Sequence, residues 1–371
     1  MSSLTHRESQ SQMAIIAGPT GEFEVSTSVP IPEIGPKDVL VQTKAVALNP
    51  VDTKLVGDFV TPGCIFGFDC AGIVVAIGRD VKKDLKIGDR VCGCASGMNK
   101  DKPLAGAFAE YVSFPGDLTL KVPESMSIEE AASLGTAMAS ASMVLFWSLG
   151  MPLSLLDAAH KVADQAAEGQ PADPLPTFLV YGGSTSTGTM MLQLLHLCGF
   201  PTIATCSAAN FDLVKSYGAD QVYDYKASNC AQTIRQATGN TLEYIVDCYA
   251  EDSSMRFCYE AMGRAGGYYT ALNPFNDALA TRKVITPDWI LATRIAGDGS
   301  KWPAPYACEY EPRLAALAGP LFNKIQQLLD LGKLRPNRVW VQEGGLPGLL
   351  NGVGIIRRGE VSGQKLVYPV A

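Results

Sequence analysis

Between residues 177 and 272 the chain repeats one pattern, and no other feature constrains the fold as strongly. Short apolar runs at 177–181, 202–206, 221–225, 244–248 and 267–272 alternate with amphipathic stretches at 186–198, 210–217, 229–238 and 253–262. Strands joined through such stretches run parallel, because a parallel crossover needs a dozen or more residues. Runs that are apolar throughout, rather than at alternate positions, are buried on both faces. The expected class is α/β, with a doubly wound parallel sheet flanked by helices.

The residues on either side read differently. From 13 to 125, β-branched runs at 38–46, 72–77, 89–91 and 109–112 are punctuated by Gly and Pro, which predicts a partly open β-barrel or sandwich. Ser127 with Glu130 makes a capping-box pattern that opens an Ala-, Met- and Leu-rich helical stretch to 149. Residues 157–176 mix charge, Ala, Gln and three prolines, and are expected to form an exposed insertion. Beyond residue 300, a helix at 312–331 and strands at 338–342 and 365–369 are expected to return to the first domain. Residues 1–12 are polar and are expected to be a disordered tail.

Charge and residue counts remove several classes of function. A net charge of −7 argues against duplex nucleic acid as a partner, since that binding rests on Lys and Arg neutralising phosphates. No stretch reads as a membrane span and no apolar leader is evident, so a cytoplasmic location is expected. The ten cysteines form no C-x2-C pair and are expected to be reduced thiols. The three histidines, His6, His160 and His196, offer no metal-ligand or triad spacing, so no metal site is expected and histidine is not expected to run the chemistry.

The run Tyr181-Gly182-Gly183-Ser184-Thr185-Ser186-Thr187-Gly188 follows a strand and opens a helix. A dinucleotide pyrophosphate sits at such a turn, on free backbone N–H groups and the helix dipole. NAD-binding chains commonly carry an acidic residue about 20 residues further on, where it meets the ribose 2′-hydroxyl. Here the second strand ends Thr205-Cys206-Ser207-Ala208-Ala209-Asn210, without a carboxylate, which favours NADP. Asn210 reads equally well as the N-cap of the following helix.

Three further signals lie upstream: Asn49-Pro50-Val51-Asp52-Thr53-Lys54, Gly67-Phe68-Asp69-Cys70-Ala71-Gly72 and Lys86-Ile87-Gly88-Asp89-Arg90-Val91. In this order, with the glycine-rich turn downstream, the chain resembles a medium-chain dehydrogenase/reductase. The zinc-dependent members need a His where this chain reads Gly67-Phe68-Asp69, so the resemblance is to the zinc-free branch. Within that branch the chain resembles the fungal trans-acting enoyl reductases that serve polyketide synthases. The residues behind this are Ala204-Thr205-Cys206-Ser207, Leu272-Asn273-Pro274-Phe275, Trp302-Pro303-Ala304-Pro305-Tyr306 and Gly359-Glu360-Val361-Ser362-Gly363, with the motifs above.

That resemblance implies a GroES-like β-barrel catalytic domain over 13–150 and 305–371, and an NADP-binding Rossmann domain over 151–304. It implies NADPH held by Val51, Asp52, Thr53 and Lys54, by Ser184, Thr185, Ser186 and Thr187, and by Ser207, Ala208, Ala209 and Asn210. Tyr225, Leu272, Asn273, Val361 and Ser362 complete that set. One wall of the substrate channel is implied to be Ser140, Ala141, Ser142, Met143, Val144, Leu145, Phe146, Trp147 and Ser148. The other is Ala292, Thr293, Arg294, Ile295 and Ala296.

The activity implied is hydride transfer from NADPH to the β-carbon of an α,β-unsaturated thioester on a polyketide synthase acyl carrier protein. Lys54 is expected to orient the nicotinamide ribose or the thioester carbonyl, with Ser140 donating a hydrogen bond nearby. Arg294, Lys333, Arg335, Arg338, Arg357 and Arg358 are candidates for a basic face toward an acidic carrier. A stand-alone quinone or alkenal reductase, or a non-catalytic binding protein, would carry the same motifs. A monomer is expected, because Pro303 and Pro305 are read as lying near the sheet edge through which dimers form.

Overall fold

The computed structural model describes residues 11–161 and 175–371. Most of the 157–176 insertion, and the tail up to residue 10, therefore lie outside the described residues. Ser11 and Gln12, read from sequence as the end of that tail, instead open a strand, Ser11–Ala17, paired antiparallel with Phe23–Pro30.

The alternating half folds into a six-stranded parallel sheet. Its order is Gln221–Asp224, Thr202–Cys206, Phe178–Tyr181, Tyr244–Asp247, Gly267–Ala271 and Ile285–Trp289. Phe178–Tyr181 and Thr202–Cys206 are buried at every position, as strands covered on both faces are. The sixth strand is not evident in the sequence, because Pro287 and Asp288 interrupt its apolar run. It lies at the sheet edge, where a proline is tolerated.

Its register explains why. Gly267 N–H donates to Val284 O and Ile290 N–H to Ala271 O, so the even-numbered amides of the edge strand face the sheet. The nitrogen of Pro287 faces the open side and withholds a donor from any added strand. Just past the Trp302-Pro303-Ala304-Pro305 segment, the Tyr306 ring lies 5.5 Å from that of Trp289, the last residue of this edge strand. The Trp302 indole is buried against the barrel and donates to Met98 O at 3.0 Å.

The other half is a seven-stranded mixed sheet. Asp38–Ala47 pairs antiparallel with Asp69–Ile77, Tyr111–Pro115 and Lys365–Pro369, and Lys365–Pro369 pairs in parallel with Val339–Val341. The last two strands thus return to the first sheet. Between them runs a helix, Gly345–Arg357, obscured in sequence by its glycines and Pro347.

Ile128–Ser148 has the length and mean hydropathy, 1.2, of a membrane span, which corrects the sequence reading that no stretch approached one. Of that window 83% is buried inside the protein, as befits a core helix. It consists of a capped turn Ile128–Ala131, an α-helix Gly135–Ser142 and a π-helical turn Met143–Ser148. Helix Gly135–Ser142 packs on helix Ser186–Leu197, joining the two halves in one apolar core.

Candidate active site

The glycine-rich turn is shaped by close backbone approach. A Cβ on Gly188 would stand 2.4 Å from Gly182 O, so only glycine lets the helix seat this tightly on the strand. Thr185 is the N-cap of Ser186–Leu197 and accepts from Gly188 N–H at 3.0 Å. Its hydroxyl is therefore committed to the helix. Ser184 remains beside the turn, Ser186 opens the helix, and Thr187 is buried in its first turn.

Four residues expected at the cofactor, from three separate segments, meet at one amide. Asn210 Nδ2 donates to Ser362 Oγ at 3.0 Å, to Ser207 Oγ at 3.2 Å and to Ser184 Oγ at 3.4 Å. Asn210 is the N-cap residue of its helix, Phe211–Ser216, as the sequence allowed, but its side chain makes no cap hydrogen bond and serves the serines instead. Gly363 has φ +62°, and a Cβ there would lie 2.5 Å from Asn210 Oδ1, so the barrel-side segment touches the nucleotide turn directly. Ala208 and Ala209 are exposed on this turn, while Val361, Leu272 and Asn273 are half-buried. Tyr225 is exposed, its ring centre 6.1 Å from that of Tyr181.

The residue that sequence reasoning missed here is Asp247. It is fully buried and accepts from Tyr249 N–H (3.0 Å), Ala250 N–H (2.9 Å), Ser254 Oγ (2.6 Å) and Tyr269 Oη (2.8 Å). Burial raises its carboxyl above the ordinary range, and these donors work in the opposite sense. It fixes the loop whose Cys248 N–H donates to Tyr181 O beside the glycine-rich turn. Sequence shows only a strand ending in Asp, which carries no sign that the carboxylate turns inward.

On the barrel side, Asn49 precedes the 3-10 turn Pro50–Thr53, and its backbone N–H donates to Asp52 Oδ2 at 2.6 Å. Asn49 Nδ2 donates to Asp69 Oδ2 at 2.9 Å, and Thr136 N–H donates to Asp69 Oδ1 at 2.5 Å. The Lys365 ammonium lies 2.8 Å from Asp69 Oδ2 and also donates to Asn49 Oδ1. Asp69, Asp52 and Lys365 are 0%, 0% and 3% exposed, so the one buried ammonium pairs with Asp69 while Asp52 is buried nearby without an ion-pair partner among the described residues. Burial pushes Asp52 up to about 8, against the Asn49 amide and the nearby Lys365 charge. Asp52 Oδ1 has no hydrogen-bond partner. Asp52, expected among the cofactor residues, is thus enclosed in this cluster.

The same turn presents Lys54, exposed, with its backbone N–H on Val51 O and its ammonium without a partner among the described residues. Val51 and Thr53 are half-buried, and Thr53 Oγ1 donates to Pro50 O. Ser140 lies 4% exposed inside Gly135–Ser142, its hydroxyl free of hydrogen bonds among the described residues. No hydrogen bond joins Lys54 to Ser140.

The two expected channel walls meet, since Gly135–Ser142 packs against Ala292–Ala296. Ala141, Met143, Val144, Leu145 and Phe146 are core residues of the apolar cluster. Ser142 is buried with an unpartnered hydroxyl. The wall ends in π-helix, a conformation that recurs at functional sites. There Ser148 Oγ donates to Asp288 Oδ2 at 2.6 Å, and the Arg313 guanidinium lies 5.6 Å from the centre of the Trp147 ring. A cavity of about 350 Å³ is lined by Thr293, Ile295 and Ala296 with Cys94, Phe114 and Leu118. The 140–148 wall does not line it. Of the basic candidates, Arg294 donates to Asp298 O and Glu309 O, Arg335 to Ser216 O, Arg357 to Thr53 O, and Arg358 to Glu360.

Residues 35–124 match the alcohol dehydrogenase GroES-like domain, and residues 186–271 match the zinc-binding dehydrogenase family. A trans-enoyl reductase from Petromyces alliaceus is 57% identical, over 98% of this chain and 99% of that protein. One from Gibberella fujikuroi is 44% identical, over 96% of this chain and 98% of its own. This chain belongs to the trans-enoyl reductases. Among solved structures, a putative zinc-dependent alcohol dehydrogenase from Rhizobium etli shares the fold, with a TM-score of 0.74 at 23% identity over 98% of this chain and 99% of that one.

This trans-enoyl reductase is thus a medium-chain dehydrogenase/reductase and an oxidoreductase, and its family implies a nicotinamide cofactor. The turn at Gly182–Gly188, with its close glycine packing and adjoining hydroxyls, fits such a group. The family name "zinc-binding" does not describe the donors present. Phe68 offers no ligand atom and packs edge-on to Trp302, while Asp69 is saturated by Lys365, Asn49 and Thr136. Among the described residues no three His, Cys, Asp or Glu side chains are grouped to hold a metal ion. In this reductase a buried ammonium sits at the carboxylate of the Gly67-Phe68-Asp69 motif. All ten cysteines are unpaired thiols.

Proposed function

We propose that this chain is an NADPH-dependent enoyl reductase acting in trans on α,β-unsaturated polyketide thioesters carried by a synthase's acyl carrier protein. The observation that carries the reading is the 57% identity to a trans-enoyl reductase over 98% of the chain, a span that takes in both halves of the molecule. The Asn210 cluster supports NADP, since its serine hydroxyls accept from the Asn210 amide and keep their own O–H groups to donate to a 2′-phosphate.

When bound, the nicotinamide supplies the hydride. The chain's part is to position the substrate and to meet the negative charge that grows on the thioester oxygen. Lys54 suits that role because its turn is anchored by the buried Asn49–Asp52 capping pair while its ammonium stays free. Ser140 offers an uncommitted hydroxyl from the channel wall. Ser142 offers a second, buried one. Pro287, with its nitrogen on the open side of the sheet edge, supports a monomer, because an added strand would meet a missing donor.

The test compares turnover of a carrier-bound or pantetheine-linked enoyl thioester with turnover of a free quinone or enone. Preference for the thioester is expected, and faster reduction of the free quinone would overturn the reading. Lys54→Ala is expected to cut thioester turnover by about tenfold or more, and unchanged turnover would remove its role.

A further inference from the structure

The 2′-phosphate reading leaves a gap, because the Asn210 cluster contains only neutral donors, and a phosphate dianion is bound most strongly by a cation. Neither Ser207-Ala208-Ala209-Asn210 nor the glycine-rich turn carries a Lys or Arg. The sheet supplies one from the neighbouring strand. Gln221–Asp224 pairs in parallel with Thr202–Cys206, Asp224 opposite Cys206, so Tyr225 and Lys226 continue past the same sheet end as Ser207 and Ala208. Tyr225 reaches back toward Tyr181, at the head of the glycine-rich turn.

We infer that Lys226 is the cation of the 2′-phosphate subsite and sets the preference for NADPH over NADH. The inference rests on the NADPH reading above. Lys226 is exposed, its ammonium 5.9 Å from the centre of the Tyr225 ring, and it has no carboxylate partner among the described residues. The ring holds the ammonium at the sheet end without neutralising it. The nearest acidic residue in sequence is Asp224, whose Oδ1 accepts from Lys226 N–H at 2.9 Å. That carboxylate lies at the level of Cys206, so an uncompensated Asp224 would repel a 2′-phosphate. Lys226 offsets it and adds a donor, which makes the pair a selectivity element rather than a second acidic residue of the NAD type.

The measurement is the equilibrium affinity of the purified protein for NADPH and NADH, read by nicotinamide fluorescence, with thermal midpoints to verify folding. The wild type is expected to bind NADPH more tightly than NADH. In Lys226→Ala, NADPH affinity is expected to fall by about tenfold, with NADH affinity within about twofold of wild type. Lys226→Arg is expected to keep most of the preference. Because a phosphate contact is screened, the wild type should lose more NADPH affinity with added salt than Lys226→Ala does. A wild type that prefers NADPH and a Lys226→Ala that binds both cofactors unchanged would overturn the assignment while the NADPH reading stands. A wild type that binds NADH as tightly as NADPH would overturn that reading, and the assignment with it.

Discussion

The two halves of the molecule bury their carboxylates by opposite means. On the barrel side, Asp69 is neutralised by a full charge, the Lys365 ammonium at 2.8 Å. On the nucleotide side, Asp247 is surrounded by dipoles alone, two backbone amides and two hydroxyls. A buried ion pair fails abruptly when one partner goes, because a bare charge remains. A carboxylate shared among several hydrogen bonds loses its stabilisation in smaller steps. The barrel side is therefore the brittle half, and the nucleotide side degrades gradually.

The largest effect that follows is at Lys365. Lys365→Met leaves Asp69 buried and unpaired, and should cost roughly 3–5 kcal/mol in chemical denaturation. The double variant with Asp69→Leu should recover much of that, because no bare charge is left. A double variant as unstable as the single would mean the pair is not the main cause.

Next comes Asp247→Ala, which strands four donors and should cost about 2–3 kcal/mol, together with a raised KM for the cofactor as the Cys248–Ala250 loop loosens. Tyr269→Phe, which removes one of the four donors, should cost only about 1 kcal/mol. Equal losses in the two variants would contradict graded failure.

Asp52 separates the two sides by pH. Its folded pKa of about 8 lies above its ordinary 3.8, so between those values the folded protein keeps a proton that the unfolded chain releases. Stability from this group is greatest at low pH and is lost as pH rises through the window. Asp52→Asn, always neutral, should narrow the drop in thermal midpoint between pH 5 and pH 8. An unchanged drop would mean Asp52 is already ionised in the folded state. The smallest effect is expected at Asn210→Ala, with NADPH affinity down by a few-fold and stability altered by about 1 kcal/mol or less.

Sequence reasoning reached the architecture because continuous apolar runs and helical spacing are local signals. It also named Ser184, Ser207, Asn210 and Ser362, which the fold brings to one point. What it missed was set by side chains turning inward and by neighbours distant in sequence. Asp247 looks like any strand-ending Asp until Tyr269 and Ser254 close on it. Lys365 looks like a surface lysine, yet its partner Asn49 lies 316 residues away in the chain. The sixth strand escaped because an edge tolerates the proline that argues against a central strand. The proline within the edge strand is Pro287, which the sequence reading, resting on Pro303 and Pro305, did not single out.

Ser362 supplies a hydroxyl to the nucleotide-side cluster, and Lys365, a few positions later, supplies the ammonium to the barrel-side one. A chain growing from its N-terminus has made every other member of both clusters before it makes these two. Neither cluster is complete on a ribosome that has not reached them, and both are completed almost at once. A frayed or cut chain before Ser362 should lose the nucleotide turn's clasp and the barrel's charge balance together, as one event.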